Sequence, residues 1–145
     1  MLSKRLAALR MPLCGLAIVG LAACNHNPLC SSDVLQVARD LGSDRYATTE
    51  VRNCGATTGY ATVVRVGRAS EPQAAATEVF VADSDHGAAR DGARGAVWIS
   101  VVWTAPGKLS VAYASKARVF KHQAEATGAT ISYRASDPIA PVPVP

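Results

Sequence analysis

The sequence is poor in aromatic side chains, in segregated charge and in long apolar runs. Eight of its 145 residues are Phe, Trp or Tyr, while Ala, Val and Thr are abundant. That composition reads as a small core of modest stability, one that a covalent staple would help. Lys and Arg total 15 against 11 Asp and Glu, but Lys4, Arg5 and Arg10 fall together at the start and the remaining arginines alternate with acids. A nucleic-acid surface needs clustered basic residues, so nucleic acid is not an expected partner. The early apolar run, residues 11 to 23, holds 13 residues, short of the ~20 that a spanning helix needs. There is no internal repeat, and no nucleophile, base and orienting group stand out as a set.

A basic start without acids, an apolar run and a close in small residues form the pattern of a secretory signal. The run ends in Leu21-Ala22-Ala23-Cys24. At this point the chain resembles the bacterial lipoproteins, whose signals end in a Leu-Ala/Ser-Gly/Ala-Cys lipobox. Cys14 is the rival cysteine, but Met11-Pro12-Leu13 puts a bulky residue where cleavage needs a small one. The resemblance implies cleavage before Cys24, diacylation of its side chain and acylation of the new amine. Stable anchoring takes two lipid chains or a second signal, and a multiply acylated cysteine meets that need. Asn25 is not the aspartate that commonly retains a lipoprotein at the inner membrane, so the resemblance implies an outer-membrane, periplasm-facing location in a Gram-negative cell.

Residues 24 to 29 then form a lipidated tether, which at ~3.3–3.6 Å per residue reaches about two nanometres. The segment 33 to 40 reads equally as a strand or as a helical turn with an Asp33 cap. Gly42-Ser43-Asp44 signals a turn, and residues 45 to 52 are strand-like in their Thr and Val content. Tyr60 to Val66 alternate with a period of two and predict a strand. Short strands follow at 78 to 82, 109 to 113 and 129 to 134, with an ambiguous segment at 118 to 121. The most apolar stretch, Ala96 to Thr104, is apolar on both alternating faces and is the candidate central strand. Ala105-Pro106-Gly107-Lys108 is a hairpin loop. The fold expected is all-β, a small antiparallel sheet or sandwich of six to seven short strands in one domain, residues 30 to 134. Residues 135 to 145, with four prolines, read as an extended, disordered tail.

Three cysteines follow the signal, and if lipid claims Cys24, Cys30 and Cys54 are left as a pair in an oxidising compartment, and a disulfide between them is expected. The rival role for Cys54 is a nucleophile in the Gly-rich turn, with His86 or His122 as base; it would leave Cys30 unpaired. Asn53 to Tyr60, with VFVAD-SDHG at 79 to 87 and ARVFK at 117 to 121, resembles a group of small, uncharacterised bacterial exported proteins and lipoproteins with a CGATTG-plus-aromatic motif. That resemblance covers residues 30 to 134 and implies no activity. The chain departs from the group at its Leu41-Gly42-Ser43-Asp44 turn, where a Ser-Pro-Asp-Gly type is usual.

Asp83, Asp85 and His86 are the cluster with ligand-type side chains. A calcium loop starting at Asp83 requires Glu at its twelfth position, where the chain has Arg94. A transition metal wants a second histidine or a thiolate. No metal or cofactor is therefore expected, and Asx-turn capping is the simpler reading of the two aspartates. Thr57 and Thr58 read as turn hydrogen bonders. The function expected is a non-enzymatic envelope lipoprotein, held to membrane lipid through Cys24 and binding another envelope protein with the loops carrying Thr57, Thr58, Tyr60, Asp83, Asp85 and His86. The alternative is a small hydrolase or thiol enzyme using Cys54 or the Asp85 and His86 pair.

Overall fold

The structure, a computed structural model, describes residues 29 to 138. The signal, Cys24 and the tether as far as residue 28 lie outside the described residues, as does the tail from 139. Nine strands follow one another: β1 (Ser31–Arg39), β2 (Arg45–Asn53), β3 (Ala61–Arg68), β4 (Thr77–Asp83), β5 (Ile99–Ala105), β6 (Lys108–Tyr113), β7 (Arg118–His122), β8 (Glu125–Ala126) and β9 (Ala129–Ala135). The only helical turns among the described residues are short 3₁₀ pieces at Gln73–Ala75 and Ala93–Gly95. No helix among them is long and apolar enough to cross a membrane. The all-β expectation holds. Both segments left open by the sequence are strands, and two-residue β8 brings the count among the described residues to nine.

One sheet has the order β1-β2-β3-β4-β7 and the other β5-β6-β9-β8. Their inner faces share one core: Ala47, Val64, Val66, Phe80 and Ala82 from the first sheet meet Val101, Leu109, Val111 and Ile131 from the second. The alternation in β3 explains its part. Thr62, Val64 and Val66 face inward and are fully buried, as a period of two requires. Phe80 anchors the middle, with its ring 5.0 Å from Tyr113 and 5.9 Å from Tyr133. All strand pairs are antiparallel except β6 with β9. The reason is the path: after β6 the chain crosses to the first sheet, adds β7 beside β4, and returns through β8 to lay β9 along β6.

The apolar stretch 96 to 104 is not a central strand, which corrects the sequence reading. β5 is an edge strand, and Val102 on its outer face is 51% exposed. The first residues of the apolar stretch precede β5 and serve elsewhere: the Val97 N–H donates to Thr62 Oγ1 at 2.9 Å, and Val97 packs with Ala89 and Ala114 at the end of the sandwich. The edge is shielded by contact with the other sheet, where Trp103 Nε1 donates to the Ala38 carbonyl at 3.2 Å. The hairpin at Pro106 and Gly107 forms as expected, with Gly107 at φ 71°, the angle that position requires. Residues 135 to 137 are held by the domain: the Ser136 N–H extends the ladder to the Tyr113 carbonyl at 2.8 Å, and Asp137 accepts from the Ser115 hydroxyl at 2.6 Å.

On the outer face of the first sheet, two acids and two arginines close over an apolar residue. Arg65 lies 3.4 Å from Glu50 and 3.2 Å from Glu78, and Arg52 also pairs with Glu78. The register sets Arg52 opposite Ala61 and Glu78 opposite Arg65, so the Arg52–Glu78 pair is drawn across Val63, which is fully buried. Arginine stems cover apolar surface in this way while the charge stays near water.

Candidate functional site

The loops expected to carry function gather at one end of the sandwich. The β1–β2 register sets Ser31 opposite Asn53, so Cys30 and Cys54 face each other one step beyond. They form a disulfide with an S–S distance of 2.03 Å. Cys54 is thereby bonded rather than a free thiol nucleophile. The chain then turns at Gly55, where φ is 114° and the N–H donates to Asn53 Oδ1 at 3.0 Å. Thr58 donates to the Gly55 carbonyl through both its N–H, at 3.2 Å, and its hydroxyl, at 3.1 Å. Thr57 is exposed. Tyr60 is 49% exposed, and its ring lies on Gly95, where an added Cβ would come within 2.7 Å of Cδ2.

Because Ala61 pairs with Asp83, the Thr57–Tyr60 and Asp83–His86 connections emerge side by side. Asp83 Oδ1 accepts the Asp85 N–H at 2.9 Å and Arg118 Nε at 3.2 Å, while Oδ2 accepts Arg118 Nη2 at 2.5 Å. The hydrogen bond from Arg118 outweighs burial and holds the Asp83 carboxyl below the usual carboxylate range. The same contact raises the guanidinium above its ordinary value. The third Arg118 nitrogen, Nη1, stands 3.9 Å from Asp85 Oδ1. Asp85, His86 and Gly87 have φ of 47°, 58° and 87°; Asp and His are among the few non-glycine residues that accept that region. Asp83 thus caps the turn through the Asp85 N–H and pairs with Arg118, Asp85 adds a looser ion pair to the same arginine, and His86 is exposed.

His122 does not join His86. It ends β7, opposite Phe80, with its ring 3.8 Å from that of Tyr133, whereas Arg118 at the start of β7 is the residue beside Asp83. The Tyr133 hydroxyl lies 2.9 Å from the Val79 carbonyl and 2.8 Å from the Gln123 carbonyl. Burial pushes its ionisation up to about 12. Among the described residues no three His, Cys, Asp or Glu side chains are grouped to hold a metal ion.

Sequence reasoning missed the other end of the sandwich, where the local signals were the Gly42-Ser43-Asp44 turn and the hairpin loop at Gly107. The Asp40 side chain is fully buried. Its Oδ2 accepts from Ser43 Oγ at 2.8 Å, Arg45 Nε at 2.9 Å and the Gly107 N–H at 3.0 Å. Burial pushes the Asp40 carboxyl up, but those three donors together hold it below its ordinary value. Beside it, Arg68 donates to Asp44 Oδ1 at 2.7 Å and to the Thr127 carbonyl at 3.1 Å. The Ser70 hydroxyl donates to Asp44 Oδ2 at 2.5 Å, the leading cause of the lowered Asp44 ionisation. These bonds join turns of the first sheet to hairpins of the second.

Comparison with protein-family models, with curated proteins and with solved structures finds no match for this chain.

Proposed function

We propose that the chain is a lipoprotein of the cell envelope, anchored through acylated Cys24 in the outer membrane and facing the periplasm, whose β sandwich is a non-enzymatic binding module for another envelope protein. The observation that carries this reading is the Cys30–Cys54 disulfide. It belongs to an oxidising compartment, it leaves Cys24 as the cysteine of the Leu-Ala-Ala-Cys motif, and it removes the Cys54 thiol from the rival enzyme reading. Cys24 lies six residues before Cys30, a reach of about two nanometres at full extension. The end bearing Thr57, Thr58, Tyr60, Asp83, Asp85 and His86 then faces the bilayer, and a partner reached there lies in or against the membrane.

Metabolic labelling with a palmitate analogue tests the anchor: wild type is labelled, and Cys24→Ser is unlabelled and released into the periplasm. Equal labelling of the two removes the anchor. Cross-linking in cells tests the surface. A double Asp85→Ala, His86→Ala variant that melts like wild type but loses its cross-linked partner supports binding there. A fall of several degrees in melting temperature with the cross-link intact assigns those residues to turn structure alone.

A further inference from the structure

The edge strands β1 and β5 lie side by side without a strand ladder between them, and the seam is not filled. A cavity of about 220 Å³ opens there, with Leu35, Thr49, Gly92, Ala93, Val97 and Trp98 among its walls. Three features of the chain shape it. The β1 ladder is bulged between Val34 and Gln36, which frees Leu35 from strict alternation. The strap 92 to 97 is pulled tight across the seam by the Gly92 N–H, donating to the Ala96 carbonyl at 2.7 Å. Glycine is needed at 92, since a Cβ would stand 2.6 Å from the Val97 carbonyl oxygen.

The chemistry of the walls selects an occupant. None of the lining residues is charged, so an ionised ligand would lose its hydration without a partner. Thr49 is 3% exposed and its hydroxyl has no hydrogen-bond partner, although a buried hydroxyl ordinarily finds one. A threonine hydroxyl can donate or accept. A cavity of ~150 Å³ takes benzene, so the volume here suits one substituted ring.

We propose that the seam between β1 and β5 is a binding site for a neutral, ring-sized molecule whose single polar group hydrogen-bonds to Thr49. The proposal does not depend on lipid anchoring. Phenol is the probe, toluene and benzoate its controls, each titrated into the purified full chain by calorimetry and by amide chemical-shift mapping. Phenol binds saturably with shifts centred on Leu35, Thr49, Val97 and Trp98; toluene binds about tenfold more weakly and benzoate not at all. Thr49→Val, which keeps the shape and removes the hydroxyl, brings phenol down to the affinity of toluene. Ala93→Leu, at the exposed rim, abolishes binding without lowering the melting temperature. The mapping on wild type decides the matter independently of whether either variant folds. Absence of saturable binding, shifts centred elsewhere, or phenol affinity unchanged by a folded Thr49→Val overturns the proposal.

Discussion

The two ends of the sandwich are held by different means. At the Cys30 end a covalent bridge joins β1 to β2, and the ion pair between Asp83 and Arg118 is partly exposed, the arginine side chain keeping 46% of its surface in water. At the Gly107 end no disulfide is present among the described residues. There a fully buried carboxylate gathers a hydroxyl, a guanidinium and a backbone N–H from both sheets. The first end restrains neighbouring strands of one sheet and leaves its loops open. The second fastens one sheet to the other. A disulfide acts mainly on the unfolded chain, whereas a buried polar cluster acts through the cost of leaving its members unpaired.

The largest expected effect is loss of the bridge. Cys54→Ala lowers stability by about 3–4 kcal/mol in the chain-entropy treatment for a loop of this size, measured by urea unfolding of the full chain. A loss below about 1 kcal/mol would show that the β1–β2 ladder alone holds that end, and would remove half of the contrast.

Next in size is Asp40→Ala, which strands the Gly107 N–H and the Arg45 guanidinium. The expected loss is about 2–3 kcal/mol, read in the same assay. The same residue gives the contrast a pH signature. Its carboxyl ionises below its ordinary value when folded, so its contribution is fully present above the unfolded value and is lost as pH falls through the lower folded one. Asp44, Asp83 and Asp137 are shifted in the same direction. Melting temperature should therefore drop steeply below about pH 4 in wild type and less steeply in Asp40→Asn, measured from pH 7 to pH 2.5. Equal slopes would exclude Asp40 as a source of acid sensitivity.

The smallest expected effect is at the open loops. His86 is exposed with φ 58°, where glycine sits without strain. His86→Gly should change stability by no more than about 0.5 kcal/mol. A larger loss would mean that this turn is fastened as tightly as the Asp40 cluster, and the two ends would no longer differ in kind.

Local pattern carried most of the strands. The period of two in β3 and the short apolar runs of β6 and β9 were legible because one face of each strand is buried and nothing interrupts the alternation, and β4 was legible from its apolar run although a bulge buries Val79 and Phe80 together. β1 resisted assignment for a physical reason. Its bulge places Val34 opposite Glu50 and Val37 opposite Thr48, so two residues three apart share one face, a spacing that a helix also produces. β7 is short and carries a bulge of its own opposite the Val81–Ala82 step, with the same result. Trp98 to Trp103 misled because a long apolar run records how much surface is covered, not whether a strand or a neighbouring sheet covers it. Of the candidate site, the Asp83 cap and the Thr58 hydrogen bonds were legible from residue type. Arg118 was not, since it lies 35 residues from Asp83 in sequence.

By itself the sequence determined most of the segments that extend, most of the turns and, once Cys14 and Cys24 are set aside, which two cysteines meet, because those outcomes follow from side-chain alternation, turn residues and cysteine arithmetic. Only the tertiary structure decided that β6 and β9 run parallel, that the most apolar strand lies at an edge, that Asp40 reaches Gly107 across 67 positions of chain, and that a seam stays open beside Thr49. Strand partners, buried ion pairs and voids depend on how two sheets are laid against each other. No local run of residues carries that information.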